Sequence, residues 1–359
     1  MGTICKNTFK VIFVVPNLYA GGAERVVTIL AKEFIDMGIS VDIVLLIDSK
    51  IEYAIVGNIN IVKLNTKNMS KIERVLCLRR YLQEEKKQYN NIIILPFLYS
   101  CLKNVLSAAV GLKIPVIASE RNNPYKRSKI ANMVYLFASA CVFQTHDAKS
   151  YFNNLIQKKS KIIPNPLSNE ISEEWKGCQS KYIISVGRLE EQKNHRLLIE
   201  AFEVVSKKHL DYFLYIYGEG SLKDSLHDFV IEKGIGDKVK FMGTTTDIHK
   251  KMSDAYMFVL SSDYEGMSNA LLEAMAIGVP VISTDHPIGG AKEIIVHSEN
   301  GLLIPVNGKK EMINAMNMLI EEPVFATQLG NQGKKVKEKL TSSNIARQWV
   351  ELIYDTLGK

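Results

Sequence analysis

Residues 261–285 read SSDYEGMSNALLEAMAIGVPVISTD, and the punctuation of this stretch sets the architecture of the whole chain. It opens polar, carries Gly266, and then settles into apolar residues at helical spacing that stop at Gly278 and Pro280. Ser268 or Asn269 is suited to cap that short helix, because a small polar side chain can accept from an early helix N–H. An apolar run (YMFVL) precedes the stretch and a β-branched run (PVIST) closes it, so a loop and a helix lie between two strands. Two glutamates stand eight positions apart. Glu265 falls in the loop with Gly266, while Glu273 falls inside the helix among apolar neighbours. A solvated helix face would accommodate either one alone. A carboxylate among apolar residues is costly unless it accepts hydrogen bonds. The first helical N–H groups, near Met267, Ser268 and Asn269, have no intrahelical partner and suit an anion.

The same alternation runs outward along the chain. KVIFVVP, VDIVLLI, NIIILPF, PVIASE and ACVFQT read as strands in the first half, and YIISVG, FLYIYG, KVKFMG, YMFVLSS and PVISTD in the second. Between them lie longer stretches with apolar residues three and four apart, such as AERVVTILAKEFIDMG and NHRLLIEAFEVVSKKH. Continuous apolar strands separated by helices imply a parallel sheet covered on both faces. Two such series predict an α/β protein of two Rossmann-like, doubly wound domains facing a cleft. The polar, proline-bearing segment 163–181 marks the boundary, giving expected domains at 1–168 and 169–342. The closing amphipathic segment, about 343–359, is expected to pack back on the first, with Trp349 as its anchor.

Composition is ordinary for a globular protein, with 47% hydrophobic and 23% charged residues over a length of 359. The net charge of +7 favours an anionic partner without naming it. Cys5, Cys77, Cys101, Cys141 and Cys178 are odd in number, scattered and form no C-x-x-C, which argues against a disulfide framework or zinc site. The apolar core of the N-terminal stretch, Val11 to Val15, is too short for a signal peptide and reads as a first strand. No run approaches the ~18 apolar residues of a membrane span. A cytoplasmic location is expected, with peripheral attachment to the inner face of the membrane as an option. No motif for nucleic acid is present, and the basic residues are not interleaved with stacking aromatics.

Both domains open with a strand, a loop and a helix. In SVGRLEEQKNH, residues 185–195, Arg188 and Lys193 can neutralise a diphosphate together with the helix N-terminus, although surface cations would read the same way. In NLYAGGAERVV, residues 17–27, Gly21 and Gly22 permit close backbone approach to a ligand, or simply make a turn. Neither this loop nor YGEGSL matches the dinucleotide fingerprint. The seven histidines form no metal-binding spacing, and His195 and His286 read as packing or cap residues.

Taken together, GGAERVV, SVGRLEEQKNH, YGEGSLKDSL, SSDYEGMSNALLEAMAIGVPVISTD and GGAKEII resemble the family 4 glycosyltransferases of the GT-B fold, the large retaining class. The resemblance spans both halves and rests above all on Glu265 and Glu273 combined with Arg188 and Lys193. It implies that Arg188 and Lys193 bind the donor diphosphate and that Glu273 holds the ribose. It implies that Glu265 faces the transferred sugar, and that Met267 and Ser268, next to Gly266 and Asn269, offer backbone donors. It places Gly21 and Gly22 on the donor phosphate, and Thr244 and Ile248, in GTTTDI, at the base pocket. Front-face transfer follows from the family, with the leaving phosphate oxygen helping to deprotonate the acceptor. Other glycosyltransferases hold a metal with Asp-x-Asp, which is absent here; Arg188, Lys193 and a helix N-terminus can replace it, so no cofactor and no metal are expected. One departure stands in ASERNNPY: where many relatives carry a histidine, this chain has Arg121, which could meet the acceptor or the donor phosphate, or pair with Glu120.

Several relatives build bacterial surface polysaccharide on a polyprenyl-diphosphate carrier, which makes a lipid-linked sugar the leading acceptor. The segment 65–90 is basic and amphipathic, with Ile72, Val75, Leu76 and Leu82 grouped on one face and Lys67, Lys71, Arg74 and Tyr81 on another if the helix begins that early. Those cations would meet lipid or lipid diphosphate, or merely solvent. The donor is expected to be a UDP-hexose or UDP-N-acetylhexosamine. The alternatives are a GDP-mannose-using transferase, a UDP-sugar 2-epimerase of the same architecture and, last, a non-catalytic binding module.

Overall fold

The computed structural model describes residues 9–19, 21–48, 51 and 59–358. Two compact units divide the chain: residues up to Ser168 together with those from Thr341 onward, and Asn169–Leu340. Cys5 lies outside the described residues, and Cys77, Cys101, Cys141 and Cys178 are free thiols.

The first unit begins with β1 (Lys10–Val15), α1 (Gly22–Asp36), β2 (Ser40–Leu45), β3 (Asn60–Lys63), α2 (Lys71–Gln88), β4 (Ile92–Pro96) and α3 (Tyr99–Ala109). It continues with β5 (Ile117–Ser119), α4 (Lys129–Asn132), β6 (Ala140–Phe143), α5 (His146–Ser150), α6 (Asn154–Lys158) and β7 (Ser160–Ile162). One sheet runs β3-β2-β1-β4 and a second runs β5-β6-β7, all parallel. Parallel bridges at Ile94–Val116 and Phe97–Ser119 carry the ladder from β4 to β5. The order reverses between β1 and β4, so the loops that follow these two strands flank the switch point where open α/β sheets bind ligands.

The second unit runs β8 (Tyr182–Val186), α7 (His195–Lys208), β9 (Phe213–Tyr217), α8 (Lys223–Glu232), β10 (Val239–Gly243), α9 (Ile248–Ser253) and β11 (Met257–Leu260). It continues with α10 (Asn269–Ile277), β12 (Val281–Thr284), β13 (Leu302–Ile304), α11 (Lys309–Glu321), α12 (Pro323–Gly333) and α13 (Val336–Lys339). Its six strands lie in the order β10-β9-β8-β11-β12-β13, with the switch between β8 and β11. The middle strands are buried on both faces, as their apolar runs require. The core joins them to α7 and α11 through Leu198, Phe202, Met257, Val259 and Met316.

The last helix, α14 (Ser342–Leu357), belongs to the first unit. Its Ser342 hydroxyl donates to Glu33 of α1 at 2.5 Å. Trp349 is fully buried, with its ring stacked 5.6 Å from that of Phe97.

The amphipathic segment departs from its sequence reading. Ser70 and Glu73 form a capping box, which starts α2 at Lys71 and leaves Lys67 before the helix. The buried side chains of α2 are Leu78 and Leu82, whereas Ile72 is 74% and Leu76 47% exposed. At 100° per residue Leu76 stands about 120° from Leu82, too far around the helix to share its buried face.

Candidate active site

The second unit assembles its site from the two loops at its switch point. The loop after β8 makes a 3-10 turn at Glu191–Lys193, then turns into α7 at Asn194, whose left-handed backbone (φ 44°) and side chain cap Leu197 N–H. The loop after β11 ends at Ser268, which caps α10 by accepting from Leu271 N–H. Gly278, at φ 93°, closes that helix in a conformation that a side chain would strain.

Side chains stitch the two loops together. Gln192 donates to the Tyr264 carbonyl at 2.9 Å, and Asn194 donates to Asp263 at 2.7 Å. Ser261 donates to the Lys193 carbonyl at 2.8 Å. These contacts bring the Lys193 ammonium onto Oε1 of Glu265, which also accepts from Ser262 at 3.0 Å. The two side chains are only 13% and 11% exposed. Removing one partner of a nearly buried pair of this kind costs more than breaking a surface pair, because the other charge is left unpaired away from water. Gly290 closes over the same loop: a Cβ there would sit 1.7 Å from the Gly266 carbonyl oxygen.

Glu273 is buried on α10, and its Oε2 lies 3.2 Å from His249 Nε2 of α9. Ile248 begins α9 half-buried, and Thr244 is exposed in the loop before it. Met267 is buried, while Gly266 and Asn269 are half-buried at the start of α10. The Arg188 side chain is exposed and makes no hydrogen bond or ion pair with a described residue, so the structure does not bring it to Lys193 and Glu265. Beneath it, His195 lies 3.3 Å from the Arg188 carbonyl, and burial, reinforced by Lys193, lowers its pKa to about 4. Burial also lowers the pKa of His286, against the pull of Glu265. Both rings are therefore neutral near pH 7.

In the first unit, Gly21 caps α1 through its backbone and Gly22 begins the helix. Glu24 folds back over Gly21: its Oε2 lies 2.2 Å from where a Cβ would stand. Arg121, just past β5, is buried. It donates to Ser119 at 2.7 Å and Asn165 at 3.0 Å, and its guanidinium lies over the Phe97 and Trp349 rings. Desolvation lowers its pKa to about 9. Glu120 accepts hydrogen bonds from Arg127, Tyr135 (2.6 Å) and Asn122 N–H (2.8 Å) rather than from Arg121. Arg74 is committed to Thr66, and Lys67 pairs with Asp48 at 3.4 Å, whereas Lys71 is exposed at the start of α2.

Sequence reasoning missed Gln192, Asn194, Ser261, Ser262, Asp263 and His249. Only the run of polar letters straight after a strand, SSD, hinted at Ser261, Ser262 and Asp263. A cavity of about 440 Å³ lies at the other end of β1 and β2, lined by Lys10, Asp42 and Glu85, whose charges pair with one another. Among the described residues, no group of three or more His, Cys, Asp or Glu side chains is arranged to hold a metal, and no helix is long and apolar enough to cross a membrane.

Residues 169–336 match the family Glycosyl transferases group 1. That match lies within the second unit, and the chain takes the GT-B fold of two Rossmann-like domains. It is 29% identical over 354 residues to the N-acetylgalactosamine-N,N'-diacetylbacillosaminyl-diphospho-undecaprenol 4-alpha-N-acetylgalactosaminyltransferase of Campylobacter jejuni, covering 92% of this chain and 95% of that one. It is 26% identical over 360 residues to a second Campylobacter jejuni protein, the GalNAc-alpha-(1->4)-GalNAc-alpha-(1->3)-diNAcBac-PP-undecaprenol alpha-1,4-N-acetyl-D-galactosaminyltransferase, covering 96% and 98%. Among solved structures, Anabaena HepE in complex with UDP and glucose superposes with a TM-score of 0.81 at 19% identity, covering 95% of this chain and 98% of that chain.

Proposed function

We propose that this glycosyltransferase moves a hexose or N-acetylhexosamine from a UDP-sugar, with retention and without a metal ion, to a hydroxyl of a polyprenyl-diphosphate-linked sugar. The reaction would serve surface polysaccharide or O-antigen assembly at the inner face of the cytoplasmic membrane. The observation that carries the reading is the Lys193–Glu265 pair at the foot of α10, with Glu273 buried further along the same helix. The two Campylobacter relatives, named for transfer to diphospho-undecaprenol-linked sugars, support the acceptor class.

In this reading the donor diphosphate takes the Lys193 ammonium from Glu265, and Arg188 swings onto it from solvent. The amides around Met267, Ser268 and Asn269 add fixed positive dipole where the leaving group gains charge. Glu265, relieved of its partner, accepts from the sugar hydroxyls and faces the developing positive charge of the sugar ring. Glu273 accepts from the ribose, and Thr244 and Ile248 border the base. Gly21 and Gly22 approach the phosphates, Arg121 and Glu120 serve the acceptor side, and Lys67, Lys71 and Arg74 face the lipid diphosphate.

The test is a donor panel of UDP-glucose, UDP-galactose, their N-acetylamino forms and GDP-mannose, with and without EDTA. Release of UDP from one donor, unaffected by EDTA and lost in Glu265→Ala, is the expected result. NMR of the product linkage reads retention. Strict metal dependence would sink the metal-free mechanism, and turnover of GDP-mannose alone would replace the donor.

A further inference from the structure

The first unit carries an apolar ridge that its core does not use. After β5 the chain forms α4 and a 3-10 turn at Met133–Phe137 before entering β6. Ile130 is 79%, Met133 47% and Phe137 79% exposed, at spacings of three and four residues. α6 presents Leu155 at 65% exposure. Lys159, just past α6, donates to the Leu136 carbonyl at 2.7 Å, so the two segments are tied side by side. The ridge is not a frayed loop. Tyr135 in its middle is fully buried, packs 4.9 Å from Phe152 and donates to Glu120 at 2.6 Å. That anchor holds its apolar neighbours outward in a fixed register. Exposed large apolar side chains grouped in this way mark an interaction surface.

Charge says what kind of surface it is. Residues 121–162 hold eight lysines and arginines against one acidic residue, Asp147, a net of +7. The whole chain also carries +7, so everything outside this segment sums to zero. Lys129 and Lys158 are exposed within the ridge segments themselves. Apolar tips set among cations suit shallow insertion into the headgroup region of an anionic bilayer, where each cation near the surface adds attraction.

We infer that the ridge of Ile130, Met133, Phe137 and Leu155, with Lys129 and Lys158, docks this protein on an anionic lipid bilayer. The hydrogen bond from Tyr135 to Glu120 ties the docked ridge to the end of β5, where the candidate acceptor residues lie. The inference deepens the lipid-linked acceptor reading by naming the surface that meets the carrier's membrane. It also relocates the main lipid contact away from α2 and the turn before it, where Arg74 is occupied by Thr66 and Lys67 by Asp48.

The experiment is flotation of the full chain with vesicles of phosphatidylcholine alone and with roughly one third phosphatidylglycerol, beside UDP release from the donor without lipid acceptor. Three double variants are compared: Ile130→Asp with Phe137→Asp, Lys129→Glu with Lys158→Glu, and Ile72→Asp with Arg80→Glu, both exposed on α2. The wild type is expected to float with anionic vesicles only. The first two variants should lose at least about tenfold in partitioning, the third should stay within about twofold, and all should keep wild-type UDP release and helical circular dichroism. A wild type that ignores anionic vesicles overturns the proposal, as does a ridge variant that floats like the wild type. Loss of flotation in the α2 variant alone would move the membrane face to α2. A dimer that Phe137→Asp converts to monomer, with no vesicle binding, would replace lipid by a second copy of the chain. Intact vesicle binding without transfer to any lipid-linked sugar would leave the ridge standing and sink the acceptor reading by itself.

Discussion

The two strand-loop-helix openings solve the same problem differently. In the second unit, the loop after β8 is bound side chain by side chain to the loop after β11, and a lysine and a glutamate meet where they join. In the first, α1 starts at Gly22 after Gly21, which offers no side-chain cap, and the preceding loop is held by Tyr19 bonding Asp48 at 2.7 Å. One opening is a preorganised charge site and the other a permissive backbone. Each keeps a carboxylate near the place an anion would take: Glu265 on Lys193, and Glu24 folded over Gly21. In the proposed reading, a donor diphosphate that takes Lys193 displaces Glu265 rather than filling a bare cationic site. Fixed dipoles and charges are effective because they need no reorganisation during the reaction, which favours the stitched loop as the seat of chemistry.

The contrast can be broken most sharply at Glu265. Glu265→Ala is expected to lower kcat by about a thousandfold, or ~4 kcal/mol. Glu265→Gln should also lose turnover, yet bind UDP more tightly than the wild type, because Lys193 is released to the phosphates. Calorimetric titration with UDP checks this, and weaker UDP binding in that variant would mean that the pair does not compete with the donor.

The stitched loop also rests on a neutral buried histidine. Because the folded pKa of His195, about 4, lies below the usual 6.5, the unfolded chain binds more protons between these values. Stability on this account is complete above pH 6.5 and is lost as the pH falls toward 4, by ~3 kcal/mol at most. Denaturant midpoints measured across that range should fall in the wild type and flatten in His195→Gln.

Smaller effects sharpen the comparison. His249→Phe leaves Glu273 without its 3.2 Å partner and should raise the KM for the donor by about tenfold, with kcat little changed and His249→Gln partly restoring it. In the first unit, Glu24→Gln should alter donor KM by no more than about threefold, since a screened carboxylate at a helix N-terminus contributes only ~1 kcal/mol or less. A tenfold effect there would erase the distinction between the two openings.

Much of this was legible in the letters. All ten strands read from apolar runs are present, and among the described residues the three missed, β3, β7 and β13, are each at the edge of a sheet. An edge strand is covered on fewer sides and needs no continuous apolar run: β3 and β7 have no fully buried residue. The helix at 269–277 was readable because its cap, its apolar spacing and its glycine stop are local signals. The α2 face was misjudged because apolar letters do not say which side of a helix the sheet takes.

The sequence alone determined two doubly wound α/β units and a glutamate pair spaced to straddle a helix N-terminus. Hydrophobic period, capping and turn chemistry act over a few residues, and these features need nothing more. Only the tertiary structure decided that Lys193 meets Glu265 across 72 positions, that His249 reaches Glu273, and that Ile130 and Phe137 face outward while Tyr135 is buried. Those contacts follow from strand order at the switch point and from which side of each segment the core claims. Both are set by packing between elements far apart in the chain.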